Sequence, residues 1–282
     1  MDSVLLTGSK GFIGSHVAKK MTERKIKYIE LNEDITVSDN LKVLCNYKIN
    51  RILHIAGKTV VPESWEKPTK YYHHNTFGTL NILEFCRERM IPLTFVSTYV
   101  YGNPLEIPIT EKTKPNPNNP YAHSKYLAEQ LCEFYSNVFD VTVTIIRPFN
   151  VYGKGQSNKF LIPFIVEQVL HEDTIRVNDL FPKRDYIYVD DVIEALLSTI
   201  SYQKKFNVFN VASGKTHSVR EIIEITQNMA GTRKNVFCEN HIRKNEINNI
   251  EVDISSTASE LNWYPTTSID HGILEILKAK TV

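Results

Sequence analysis

Tyr121 and Lys125, in the run Tyr121-Ala122-His123-Ser124-Lys125, are four residues apart and therefore share one face of a helix. A phenol ordinarily ionises near pH ~10. Beside an ammonium its phenolate is favoured, and it can exchange a proton near neutrality. With 14 tyrosines in the chain, this spacing also arises by chance, so placement has to decide. The pair opens the helix that follows the fourth strand, and that strand ends Phe95-Val96-Ser97-Thr98. Two hydroxyls thus reach the sheet edge at which open α/β folds bind ligands. The second constellation is Thr7-Gly8-Ser9-Lys10-Gly11-Phe12-Ile13-Gly14, between a strand and an amphipathic helix. Gly8 permits the tight turn, Gly11 lets backbone approach a pyrophosphate, and Gly14 allows close helix packing. The helix N-terminus adds free N–H groups and a positive dipole end. A glycine triplet alone is a weak signal; its strand–turn–helix context makes it specific. Gly214-Lys215-Thr216 looks like the end of a phosphate loop, but the glycine required five residues earlier is Phe209, so it reads as an ordinary turn.

The elements that must position these groups alternate. Val4–Leu6, Lys27–Leu31, Arg51–Ile55, Leu93–Val96 and Val141–Ile146 read as strands. Ile13, Val17 and Met21 share a helical face, and further helices are predicted from about Thr76 to Met90 and from Tyr121 to Val138. Strands separated by helices imply right-handed crossovers and a parallel sheet. After residue 150 the pattern changes. Gly153–Gln156 and Asn178–Arg184 are loop-like, Phe206–Val211 returns as a strand, and helices follow at Val219–Met229 and Ile269–Lys278. The expected fold class is α/β, with a dinucleotide-binding unit over 1–150 to which 187–212 return. A smaller C-terminal lobe drawn mainly from 151–282 lies over the carboxyl edge. Pro115–Pro120 is rigid loop, because a helix follows at once.

The 282 residues carry 33 Lys and Arg against 32 Asp and Glu, a net charge of +1. That balance argues against a nucleic-acid face and a polybasic membrane anchor. Apolar runs fall far short of the ~18 residues a membrane span needs, and the N-terminus has no signal-peptide pattern. A cytoplasmic protein is expected. Cys45, Cys86, Cys132 and Cys238 form no paired motif and read as buried free thiols. His54 reads as a satisfied core residue, His73 and His74 as a surface turn without a metal partner, and Asp190-Asp191 as a helix N-cap. No metal is expected.

Taken in order, the stretches TGSKGFIG, DIT at Asp34, LHIAG at Leu53, VPESWEKP at Val61, NTFGTLNILE at Asn75, FVSTYVYG at Phe95, PNNPYAHSK at Pro117, RPFNVYG at Arg147, KRDYIYVDDV at Lys183 and ELNWYP at Glu260 resemble the extended short-chain dehydrogenase/reductase family, in the branch that modifies nucleotide sugars. The resemblance covers nearly the whole chain. It implies a Rossmann-type doubly wound sheet with NAD or NADP as cofactor and a nucleotide sugar as substrate. By resemblance Tyr121 is the acid/base, and Lys125 holds the cofactor ribose and lowers the Tyr pKa. Ser97 is the hydroxyl that orients the sugar, with Thr98 in reserve. Gly8, Gly11, Phe12, Ile13 and Gly14 would cradle the pyrophosphate. Asn32, Asp34, Ile35 and Ala56 complete the cofactor site, while Asn150, Arg184 and Arg243 resemble positions that hold the substrate diphosphate. Relatives often pair through the Tyr-bearing helix, which implies a homodimer. The stripe Leu127, Leu131, Phe134 and Val138 suits that contact or sheet-facing core equally.

Two departures from the family pattern bear on the reaction. Many relatives carry Asp at the end of strand two; here Asn32 stands between Glu30 and Glu33. A neutral Asn admits a 2′-phosphate, and the two Glu oppose it. Relatives that dehydrate or decarboxylate resemble one another in a carboxylate just behind the Ser/Thr, whereas Thr98 and Tyr99 follow here. Redox at C4 of the sugar remains, as reduction of a nucleotide-linked 4-keto-6-deoxy sugar or as 4-epimerisation of a UDP-hexose. A non-catalytic dinucleotide sensor is the reading from another class, and it has no need of the Ser97, Tyr121 and Lys125 set.

Overall fold

The computed structural model describes residues 3–240 and 249–281. In chain order the elements are β1 (Ser3–Thr7), α1 (Phe12–Glu23), β2 (Tyr28–Leu31), β3 (Ile49–His54), α2 (Val61–Glu66), α3 (Pro68–Tyr71), α4 (Gly78–Arg89), β4 (Leu93–Val96), α5 (Pro120–Phe139), β5 (Val143–Pro148), β6 (Asn150–Tyr152), α6 (Leu161–His171), β7 (Thr174–Val177), β8 (Lys183–Tyr188), α7 (Val189–Ser198), β9 (Phe206–Val211), β10 (Thr216–Ser218), α8 (Val219–Ala230), β11 (Asn235–Cys238), α9 (Ser255–Leu261) and α10 (Ile269–Thr281).

Six strands pair in parallel in the order β2-β1-β3-β4-β5-β9. A parallel sheet is covered on both faces, and the two-residue side-chain period sorts its strands accordingly. Val4, Leu6, Leu53, Val96 and Ile146 join α1 and α7 through Val17, Met21, Val192 and Ile193. Leu5, Ile52, Phe95 and Ile145 join α4 and α5 through Ile82, Leu83, Ala128 and Cys132. Because β2 and β3 flank β1, the strand order reverses beside β1, and the crevice that ligands use opens at its carboxyl end. Smaller sheets, β10-β8-β6 and β11-β7, carry the C-terminal segments. Their helices share the first core: Leu261, Trp263, Ile273 and Leu277 belong to the same buried cluster as Val4 and Leu6.

Several local expectations change. The fifth strand is Val143–Pro148, two residues later than its apolar run suggests. Lys183 and Arg184 begin β8 rather than ending a loop. His73 and His74 lie in a π-helical turn over Tyr72–Phe77 that leads into α4, with His73 exposed. Tyr188, not an aspartate, is the N-cap of α7. Asp191 instead accepts from the Thr266 and Thr267 backbone N–H groups at 2.9 and 3.0 Å and ties down the chain before α10. Cys86 and Cys132 are buried, but Cys45 is exposed and Cys238 partly so. Gly214 is a turn residue with φ +72°, and its N–H donates to Asp185. Among the described residues no helix is long and apolar enough to cross a membrane.

Candidate active site

The turn after β1 is held by backbone contact. A Cβ at Gly8, where φ is +77°, would come within 2.7 Å of the Ala56 nitrogen, and one at Gly14 within 2.0 Å of the Gly8 carbonyl oxygen. The fold itself therefore needs both glycines. Gly11 differs: a Cβ there would meet only the Gly8 oxygen, at 3.3 Å. Gly11 also caps α1 without a side-chain hydrogen bond, so the first-turn N–H groups of Phe12, Ile13 and Gly14 have no capping acceptor. Open space in front of uncapped donors suits a pyrophosphate, and the residues present fit a dinucleotide. Beside the turn, buried Ser9 donates to Glu30 Oε2 at 2.8 Å, and the Asn32 N–H donates to Glu33 Oε2 at 3.1 Å. The end of β2 is thus framed by two carboxylates. The Asp34 carboxylate accepts from the Thr36 N–H at 2.9 Å, which holds it below its usual range. Ile35 turns into the core, where its side chain would clash with a Cβ on Gly78, and its carbonyl accepts from the buried Asn81 amide at 2.9 Å.

The cradle leads directly to the Tyr–Lys pair. Ala56 packs on Gly8, and a Cβ on its neighbour Gly57 would lie 3.2 Å from Lys125 Nζ. The helix carrying Lys125 begins at a designed stop: Asn119 caps it by accepting from the Ala122 N–H at 2.9 Å, with Pro120 in the first turn. Lys125 is buried, donates to the Val96 carbonyl at 2.7 Å and stands 4.6 Å from the Phe95 ring. Burial brings its ammonium down to about 8, against the pull of Glu129. Burial also raises the Tyr121 phenol, and the nearby Thr98 hydroxyl works against that rise. Of the two hydroxyls at the end of β4, Thr98 is the one that acts on the Tyr121 phenol. Ser97 Oγ is buried without a hydrogen-bond partner. His54 bonds Thr7 Oγ1 at 2.8 Å and Thr79 Oγ1 at 3.0 Å; burial and the Lys125 charge bring it down to about 3, so it is a neutral core residue.

On the substrate side, β6 and β8 set Asn150 beside Tyr186. The Asn150 amide donates to the Asp185 carbonyl at 2.9 Å. Arg184 lies close enough to Tyr99 for its charge to act on that phenol. Arg243 lies outside the described residues. Three residues escaped the motif reading. Asn75, in the π-helical turn, accepts from the Lys58 N–H at 2.8 Å and donates to Ser124 Oγ at 2.9 Å. It pins the loop after β3 to the Tyr–Lys helix. Arg147 and Glu129 form a buried ion pair with an Nη2–Oε2 distance of 2.6 Å. Asn75 and Arg147 sit inside quoted motifs, but only side-chain geometry reveals what they touch. Among the described residues no His, Cys, Asp and Glu group could hold a metal ion.

The comparisons agree with this geometry. The chain is 30% identical over 97% of its length to GDP-6-deoxy-D-mannose reductase of Pseudomonas aeruginosa, covering 95% of that protein. It is 31% identical to a putative UDP-glucose 4-epimerase of Methanocaldococcus jannaschii, covering 97% of each. Among solved structures, RMD from Pseudomonas aeruginosa complexed with NADPH superposes with a TM-score of 0.91 at 28% identity, over 99% of this chain and 98% of that one. Thermus thermophilus UDP-glucose 4-epimerase with NAD gives 0.89 at 25% identity, over 98% of each chain. Residues 4–212 match the NAD dependent epimerase/dehydratase family, and with the glycine turn, the Tyr–Lys helix and the six-stranded sheet in place, the chain belongs to that family.

Proposed function

We propose that the protein is an NAD(P)-dependent oxidoreductase acting at C4 of a nucleotide-linked sugar, and that its reaction is reduction of a 4-keto-6-deoxy sugar. The observation that carries this reading is the Tyr121 phenol, on which the Thr98 hydroxyl acts, one helical turn from buried Lys125, with Tyr99 standing where removal of a C5 proton would need a carboxylate. The dinucleotide, when bound, supplies the hydride at C4. Tyr121 gives its phenolic proton to the C4 oxygen, a hydroxyl at the end of β4 orients that oxygen, and Lys125 holds the ribose and favours the phenolate left behind. Gly8, Gly11, Phe12, Ile13 and Gly14 cradle the pyrophosphate, with Asn32, Asp34, Ile35 and Ala56 around the adenosine end. Asn150, at the end of the dinucleotide-binding unit, and Arg184, in a lobe drawn from 151–186 and 213–282, hold the substrate diphosphate. Residues 1–150 and 187–212 form the dinucleotide-binding unit. With a nucleotide-linked 4-keto-6-deoxy sugar, absorbance of the reduced nicotinamide falls in proportion to product.

The second reading, a UDP-hexose 4-epimerase, is favoured by Glu30 and Glu33 at the end of β2, which repel a 2′-phosphate and suit NAD. Tightly retained NAD with interconversion of two C4 epimers and no net absorbance change would replace the reductase by the epimerase.

The α5 stripe supports a homodimer. Phe134 and Val138 are 53% and 55% exposed, while Leu127 and Leu131 line a groove with Thr76, Phe77 and Leu80. The sheet-facing side of α5 is formed instead by Ala128, Cys132 and Tyr135. A second copy would cover this face, and Leu131→Glu is expected to sediment as a monomer.

A further inference from the structure

Lys125 and Glu129 are one turn apart on α5 and only 2% and 3% exposed. Opposite charges at this spacing attract, and burial strengthens the pull. They nevertheless have different partners. Lys125 donates to the Val96 carbonyl at 2.7 Å. Both Glu129 oxygens go to Arg147 of β5: Nε lies 3.0 Å from Oε1 and 3.2 Å from Oε2, and Nη2 lies 2.6 Å from Oε2. Arg147 is itself fixed. Its Nη1 donates to the Tyr101 hydroxyl at 2.7 Å, and that hydroxyl donates to Asn210 Oδ1 at 2.7 Å. The guanidinium carbon stands 5.1 Å from the Tyr101 ring centre.

We propose that Arg147 is a positioning residue that, by occupying both oxygens of Glu129, keeps that carboxylate from capturing Lys125 and so leaves the ammonium at the reacting end of the site. A fork that binds both oxygens of a carboxylate is a guanidinium property that an ammonium cannot reproduce. Without Arg147, Glu129 turns to Lys125 and draws Nζ away from the Val96 carbonyl and from Gly57. The other groups facing the ammonium do not compete for it: His54 is neutral, Cys132 is held as the thiol by burial, and burial likewise favours the neutral Tyr121 phenol. The inference rests on the proposed function for the role of Lys125.

The test is a rescue. Arg147→Met is expected to lower kcat at least about 100-fold, the scale of a lost acid–base group, and to weaken dinucleotide binding in calorimetric titration. Adding Glu129→Gln removes the competitor and is expected to restore at least tenfold of the loss in both readouts, and to return the pH profile of kcat/KM toward wild type. If Arg147 only packs β5 against α5, the double variant is no better than the single one, and the proposal fails. Should Arg147→Met not fold, Arg147→Lys, which leaves one Glu129 oxygen free, is compared with Arg147→Lys/Glu129→Gln under the same criterion. If the wild type turns over neither class of sugar nucleotide, the proposed function fails, while the binding titrations still decide the role of Arg147.

Discussion

At the level of single residues, the chemistry is concentrated in hydroxyls whose neighbours set their use. Tyr121→Phe is expected to lower turnover at least about 100-fold with dinucleotide affinity nearly unchanged in titration, because the phenol acts on the sugar. The two hydroxyls at the end of β4 should separate. The Thr98 hydroxyl acts on the Tyr121 phenol and Ser97 Oγ is enclosed without a partner, so Thr98→Val is expected to cost kcat more than Ser97→Ala in parallel assays; the reverse ranking would return the role to Ser97. The Tyr–Lys pair was legible from its four-residue spacing and its place after a strand. Which of the two hydroxyls serves it is not legible from spacing, because successive residues of an extended chain point to opposite sides; the family resemblance favours Ser97, with Thr98 in reserve. Glu129 was equally hidden: a carboxylate four residues after a lysine reads as its partner until Arg147 is seen to hold it.

Among the elements, the glycine turn separates what folding needs from what binding needs. Gly14→Ala places a Cβ 2.0 Å from the Gly8 oxygen and is expected to destabilise the protein by about 1–3 kcal/mol or more, as overpacking does, measured by denaturant unfolding. Gly11→Val faces only one contact, at 3.3 Å, so it is expected to fold and to lose dinucleotide binding by calorimetry. Unchanged affinity in the folded variant would remove the phosphate role of this turn. The strands and long helices were legible because apolar runs and a 3.6-residue period announce them. The π-helical turn at Tyr72–Phe77 was not, since one widened turn leaves the apolar pattern of the following helix intact. The acidic pair at the start of α7 misled for a related reason: helix position was readable, but the distant threonines that Asp191 binds were not.

For the whole molecule, pH exposes a cost hidden between the sheets. Asp185 is fully buried, and its carboxyl is pushed up to about 6 from 3.8 by burial, against hydrogen bonds from Ser213 and Gly214. A carboxyl raised in the folded state contributes stability that is complete below its unfolded value and is lost as pH rises through the folded one, here by at most about 3 kcal/mol. Asp34 and the other carboxyls with lowered values run the opposite way, so the effect is read as a difference. Asp185→Asn is expected to gain on the wild type as pH rises from about 4 to about 6, in unfolding curves at matched pH; a flat difference would show that the site does not strain the ionised group. The parallel sheet and its return strand were legible from alternation, whereas the extent to which the C-terminal helices share the sheet's own core was not, because cores are built from contacts and not from runs.

That shared core has a consequence for how the molecule opens. Val4 and Leu6 of the first strand are packed into the same cluster as Ile273 and Leu277 of the last helix. Prising the C-terminal segments from the sheet as one body would expose this oily seam to water. A two-shell hinge that swings apart is therefore disfavoured, and scanning calorimetry is expected to give one melting transition, not two.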